Sequence, residues 1–186
     1  MQWTNTERGY GWLSIALHWL ALIAVVAMFW SGFAADNAGE MGDREARRAL
    51  MGFHIAFGAS VALIIFARIA LHFAQRQPTP APQTPVLSFI STATHKLLLL
   101  AILIQFISGP LAVWSGGRDI NVFDLFTIPT PFAAENEAVH EGAEVAHAIG
   151  RWMLFGLIVL HVLGALKHAF IDRDGVLRRM LAPAKD

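Results

Sequence analysis

The sequence predicts an all-α membrane protein, a bundle of four transmembrane helices, and three observations predict it. Of its 186 residues 55% are hydrophobic and only 15% charged, where soluble domains carry roughly 25% charged residues. The mean hydropathy is +0.50. Four apolar segments, at 11–33, 50–73, 94–114 and 146–170, each reach the roughly 20 residues that a bilayer crossing takes. The whole chain, 1–186, reads as a single transmembrane domain.

The first segment follows a polar start, MQWTNTERGYGW, in which Glu7 and Arg8 cancel. It is long for a signal peptide and no small-residue cleavage motif clearly follows it, so it reads as a retained span. The second segment ends at RQPTPAPQTP (76–85), whose prolines disfavour helix and make a stiff extended connector. The third leads into a longer loop, 115–145, with a Gly pair at 116–117, Pro129 and Pro131, and an acidic stretch that can begin the last helix early. Trp12, Trp30, Trp114 and Trp152 fall near segment ends, as interfacial anchors do, while Trp19 sits deeper and reads as packing.

Four spans force both termini to one side. That side holds Arg8, Arg68, Arg76, Lys96, Lys167, Arg173, Arg178, Arg179 and Lys185, against Arg44, Arg47, Arg48, Arg118 and Arg151 on the other. The excess of positive charge makes the side of the termini cytoplasmic. Formal net charge is zero, so bulk charge gives no argument for nucleic acid. Cysteine is absent, which excludes disulfides, thiolate-held iron–sulfur clusters and covalently attached c-type haem.

Within this frame the histidines carry the chemistry. His18, His54, His147 and His161 lie within or at the edge of apolar spans, where an ionisable ring is expensive and defaults to function. His147 and His161 are fourteen residues apart, nearly four turns, so they leave one helix face about 21 Å apart along the axis. The orientation matches His18 with His161 toward the cytoplasm, and His54 with His147 toward the outside. Each pair offers two axial nitrogens to the iron of one haem between facing helices. With both axial positions filled, electron transfer fits better than oxygen activation. The bland reading is that membrane histidines bridge helices by hydrogen bonds. No carboxylate lies at comparable depth to complete a site for another metal.

Gly58, one turn after His54, leaves room for a flat porphyrin, and Gly109, Gly156 and Gly164 lie along the third and fourth spans. Close helix packing explains such glycines equally well. His95, Lys96 and His168, near the cytoplasmic interface, are candidates to bind and protonate a quinone, against simple snorkelling of polar ends. His140, one heptad before His147, is its rival as the outer ligand. His72 receives no role. Arg68, inside the second span, needs a counter-charge, and a haem propionate is the natural one. Arg44, Arg47 and Arg48 can steer a small anion toward the outer pair. The favoured alternative is that they pair with Asp43, Glu45 and the acidic loop.

The residues resemble those of the prokaryotic cytochrome b561 family over nearly the whole chain. The likeness rests on ALHW (16–19), GFHIAFG (52–58), FDLFTIP (123–129) and above all HVLGALKHAFIDRDGVLRRML (161–181). The resemblance implies two b haems held by one histidine from the first helix, one from the second and two from the fourth. Those positions match His18, His54, His147 and His161. It also implies a multi-pass protein of the bacterial inner membrane. In one branch superoxide is oxidised at the periplasmic face and its electrons reach ubiquinone, and by resemblance His168 and the His95–Lys96 pair fall where a quinone site is expected.

The expected function is therefore a superoxide oxidase-like oxidoreductase. Electrons pass from a periplasmic donor, a small anion such as superoxide or a protein, through two b haems to ubiquinone. Outer-sphere transfer requires no nucleophile or acid–base dyad, so no catalytic residue is assigned. One rival is a cytochrome b anchor and relay subunit of a larger dehydrogenase or hydrogenase. The other is a haem-free packing or assembly protein. Self-association as a homodimer is left open.

Overall fold

The computed structural model describes residues 1–183. Lys185, counted with the cytoplasmic cations, lies outside them. Four long apolar helices make up most of the described chain: α1 (Trp12–Glu40), α2 (Arg44–Ala74), α3 (Pro85–Ser115) and α4 (Glu137–Lys167). Each is long and apolar enough to cross a membrane, which bears out the expected four-span helical class. At about 1.5 Å per residue, the 31 residues of α2, α3 or α4 run well beyond a hydrocarbon core of about 30 Å.

The helices outrun the predicted spans because their ends are set by caps rather than by hydropathy. Asp43 opens α2, its Oδ1 accepting the Ala46 N–H at 2.9 Å. Thr84 and Pro85 open α3 nine residues before the apolar run begins: Thr84 Oγ1 accepts the Leu87 N–H at 3.4 Å, and proline suits a first helical position. Asn136 opens α4, accepting the Val139 N–H at 3.1 Å, so the acidic stretch is indeed its first turns. At its far end α4 runs into a π-helical turn (His168–Asp172), stopped by Arg173 in the left-handed region at φ 52°. A short α5 (Val176–Arg179) follows.

The loop after α3 is not irregular throughout, as the sequence suggested. It folds a two-stranded antiparallel hairpin, β1 (Ile120–Val122) and β2 (Phe126–Ile128), with Ile120 opposite Ile128. Phe123 and Asp124 take positive φ at the turn, where glycine or asparagine is usual. Asn121 replaces that preference by a side-chain clamp, its Oδ1 accepting the Asp124 N–H at 2.7 Å and its Nδ2 donating to the Asp124 carboxylate at 2.9 Å. Val122 and Ile120 pack with Val113 of α3 in a small buried cluster.

The chain forms two compact units, and every long helix contributes a stretch to each. The first comprises Met1–Trp19, Phe66–Leu103 and the chain from Gly150 on. Here three distant segments are knitted together. The Asn5 N–H donates to Gln75 Oε1 at 3.0 Å, Arg76 pairs with Glu7 at 2.9 Å, and Arg179 donates to the Thr79 carbonyl at 2.7 Å. Trp19 does more than pack: its indole N–H donates to the Met180 carbonyl at 2.7 Å. The second unit comprises Leu20–Ile65 and Ile104–Ile149 and contains the hairpin. On both units apolar side chains such as Leu63, 80% exposed, face outward, as lipid-facing positions do.

Gly11 is a point of close backbone approach in the first unit. A Cβ there would lie 2.4 Å from the Trp3 carbonyl oxygen, with backbone rather than a flexible side chain in the way. Gly11→Ala should therefore destabilise by about 1–3 kcal/mol, the usual overpacking cost. Gly52→Ala, where nothing lies within 4 Å, should not. Thermal unfolding of the two variants in detergent distinguishes them, and equal midpoints would refute this account of Gly11.

Candidate functional site

The four span histidines come together as two pairs, one in each unit. In the first unit His18 of α1 faces His161 of α4, with ring centres 6.2 Å apart and planes at 59°. In the second, His54 of α2 faces His147 of α4 at 6.3 Å and 82°. A metal bound to one nitrogen of each ring at about 2 Å, with each ring centre about 1 Å further back, puts the centres about 6 Å apart. Both pairs have that spacing.

The surroundings of the pairs differ. In the second unit each ring is clasped by a Ser–Gly step from a neighbouring helix. Ser31 Oγ lies 3.0 Å from His54 Nδ1, and a Cβ on Gly32 would come within 3.4 Å of the same ring. Ser108 Oγ lies 3.1 Å from His147 Nδ1, and a Cβ on Gly109 would come within 3.2 Å of it. The serines are buried, Ser31 completely. Sequence reasoning missed both; the available signal was a Ser–Gly step recurring in otherwise apolar helices. It recurs again one heptad on, at Ser115–Gly116, and there it meets His140. His140 Nδ1 donates to the Ala112 carbonyl at 2.8 Å and its Nε2 lies 3.4 Å from Glu144, so His147, not His140, stands across from His54.

Of Gly58, Gly109, Gly156 and Gly164, the four glycines the sequence singled out, only Gly109 stands at a histidine. The space at Gly58 is taken by the Met28 thioether, 3.0 Å from a Cβ built there, while Gly156 and Gly164 face open space.

In the first unit His95 of α3 stands edge-on to His161 with ring centres 5.1 Å apart, and Trp19 stands edge-on to His18 at 5.5 Å. Among the described residues neither the His18 nor the His161 ring has a hydrogen-bond partner of the kind the serines provide. Arg68 of α2 is partly buried and within electrostatic reach of His18, His95, His161 and Tyr10. Among the described residues it has no carboxylate partner, so a cation stands beside the pair without a counter-charge. Burial pushes the Tyr10 hydroxyl above its ordinary range, with Arg68 and Arg179 drawing it part of the way back. The residues fit a haem here: two facing imidazoles, and an unpaired guanidinium suited to a propionate.

The quinone candidates are not gathered at one point. His95 and Lys96 open the apolar part of α3, whereas His168 lies in the π-helical turn. There its Nδ1 is 2.6 Å from Asp174 Oδ2 and 3.3 Å from Asp172 Oδ2, and Lys167 also pairs with Asp172. No hydrogen bond or ring contact joins His168 to His95 or Lys96 among the described residues. Partial burial pushes the Asp174 carboxyl up, but the Val176 N–H and His168 outweigh it and hold the group below the usual carboxylate range. His72, left without a role, stands against Phe73 at 5.2 Å.

One favoured reading is overturned. Arg44, Arg47 and Arg48 do not pair with Asp43, Glu45 or the acidic residues before α4; all three are exposed and have no carboxylate partner among the described residues. The reason is local: Asp43 is engaged as the cap of α2, and the Arg47 side chain lies over Gly39.

A membrane-spanning helical protein with paired histidines inside its spans is a membrane cytochrome in design. The family model described as prokaryotic cytochrome b561 matches residues 9–183, and the chain belongs to that family. Membership makes it a multi-pass electron-transfer protein and implies binding of haem b. Among its relatives, it is 32% identical over 185 residues to "Cytochrome b561 homolog 2" of Escherichia coli strain K12, covering 97% of this chain and 95% of that one. It is 25% identical over 179 residues to "Probable superoxide oxidase CybB" of Yersinia pestis, covering 94% and 97% respectively.

Proposed function

We propose that the protein is a di-haem oxidoreductase that carries electrons from superoxide, at the periplasmic face of the bacterial inner membrane, to ubiquinone near the cytoplasmic side. The observation that carries this reading is the pair of histidine facings, at 6.2 and 6.3 Å, each suited to one iron. His54 and His147 hold the outer haem, His18 and His161 the inner one, and both termini lie in the cytoplasm. Arg68 binds a propionate of the inner haem. Bound haem b supplies the one-electron chemistry that amino-acid side chains lack.

The remaining tasks fall to the chain itself. Exposed Arg44, Arg47 and Arg48, without carboxylate partners among the described residues, make the outer face attractive to a small anion. His95, Lys96 and His168 bind the quinone and pass it protons taken from the cytoplasm. Two superoxide ions give up two electrons and leave as dioxygen; the electrons and two protons convert ubiquinone to ubiquinol.

The test uses the purified protein alone, given superoxide and a soluble ubiquinone, with quinol formation as the readout. Reduction of the quinone supports the enzyme reading. Failure, with haem present and chemically reducible, favours the rival, an anchor and relay subunit of a larger dehydrogenase or hydrogenase. A paired substitution, Arg47→Glu with Arg48→Glu, should slow reduction by superoxide by about tenfold at low salt and flatten its dependence on ionic strength. An unchanged rate and salt dependence would remove these arginines from donor capture.

A further inference from the structure

The Ser–Gly clasp sets the His54–His147 pair apart from the His18–His161 pair. In each clasp the serine hydroxyl proton already has a destination. Ser31 Oγ lies 2.9 Å from the Ala27 carbonyl, and Ser108 Oγ lies 2.6 Å from the Ile104 carbonyl, the back-bond that serine makes within a helix. A hydroxyl that donates to a carbonyl has only its lone pairs left to offer. The contacts at 3.0 and 3.1 Å are therefore Nδ1–H donating to Oγ, in both rings. A neutral imidazole protonated on Nδ1 presents its lone pair on Nε2. Two unrelated helix pairs, α1 with α2 and α3 with α4, arrive at the same arrangement, each adding a glycine that lets its helix lie against the ring.

We propose that Ser31 and Ser108 are positioning residues for the outer haem: they lock His54 and His147 as Nε2 ligands and lower the reduction potential of the iron those nitrogens hold. This rests on the assignment of His54 and His147 as ligands. An acceptor on Nδ1–H raises the basicity of the ligating nitrogen, which favours the ferric state. Among the described residues His18 and His161 have no such partner, so the device acts on one haem and biases the relay between the two.

The test is a potentiometric titration of the purified holoprotein, followed by optical and low-temperature electron paramagnetic resonance spectra. Haem per chain is counted first. The variants are Ser31→Val against Ser31→Thr, and Ser108→Val against Ser108→Thr. Each valine–threonine pair adds the same bulk and differs only in the hydroxyl, so a packing effect is common to both members. The double valine variant should hold the outer haem about tenfold more reduced at a fixed ambient potential, equivalent to ~59 mV for one electron, while the double threonine variant stays near wild type. The inner haem should not move in either. Valine and threonine variants that titrate alike would overturn the proposal while leaving the ligands in place. Should the bulkier side chains prevent folding, Ser31→Ala and Ser108→Ala decide it by the same shift or its absence. A His54→Ala variant that carries as much haem per chain as the wild type would instead overturn the ligand assignment itself, and the proposal with it.

Discussion

The wild type is expected to carry two haems per chain, His147→Ala only one, and His161→Ala should remove the other. The argument is geometric. Each ring is half of a facing pair, and a pair that loses one imidazole cannot satisfy both axial positions. His140 cannot substitute for His147, because its Nδ1 is engaged with the Ala112 carbonyl and its other nitrogen lies toward Glu144. His140→Ala should therefore keep both haems. For His161 a substitute is at hand: the His95 ring is 5.1 Å away. If His161→Ala retains a perturbed second haem, adding His95→Ala should abolish it. Pigment extraction with haem quantitation, alongside reduced-minus-oxidised spectra, measures all four. Unchanged haem in His147→Ala together with loss in His140→Ala would transfer the outer ligand to His140. A colourless wild type would leave the histidines as helix bridges only.

Arg68→Leu should lower the potential of the inner haem by roughly 65–130 mV, the equivalent of the ~1.5–3 kcal/mol that a hydrogen bond to a charged group is worth. The sign follows from charge. A guanidinium close to the pair favours the state that carries one more electron, and leucine withdraws that support. Arg68 interacts electrostatically with Tyr10 and the histidines, and among the described residues it has no carboxylate partner to compensate. Arg68→Lys, which keeps the charge but not the bidentate fork, should fall less. Equal potentials in all three proteins would mean that Arg68 answers some other charge.

The spans and the four paired histidines were legible because both announce themselves against an apolar background. A polar ring in a run such as GLIVLHVLGAL stands out, and helical spacing then fixes its face. The helix limits were less legible, since Thr84–Pro85 and Asn136 set them by local capping, which hydropathy averages away. The hairpin was invisible for a related reason: Asn121 stabilises left-handed Phe123 and Asp124 through its side chain, so the glycine that usually marks such a turn is missing. Ser31 and Ser108 were hidden differently. A serine that bonds its own helix backbone is unremarkable in a membrane span, and only its distance to a ring on another helix distinguishes it. The arginines before α2 were misjudged because the count of nearby acids said nothing of Asp43 being engaged as a cap.

The bond from Trp19 to the Met180 carbonyl joins residues 161 positions apart. During synthesis at about 5–20 residues per second, the first helix waits roughly 8–32 seconds in the bilayer before that acceptor exists. His18 and Arg68 are in place long before His161 and the closing tail arrive. Neither the facing of His18 with His161 nor the bond to Met180 can form until translation is nearly complete, and a ribosome stalled short of Met180 leaves a chain whose first helix has no latch.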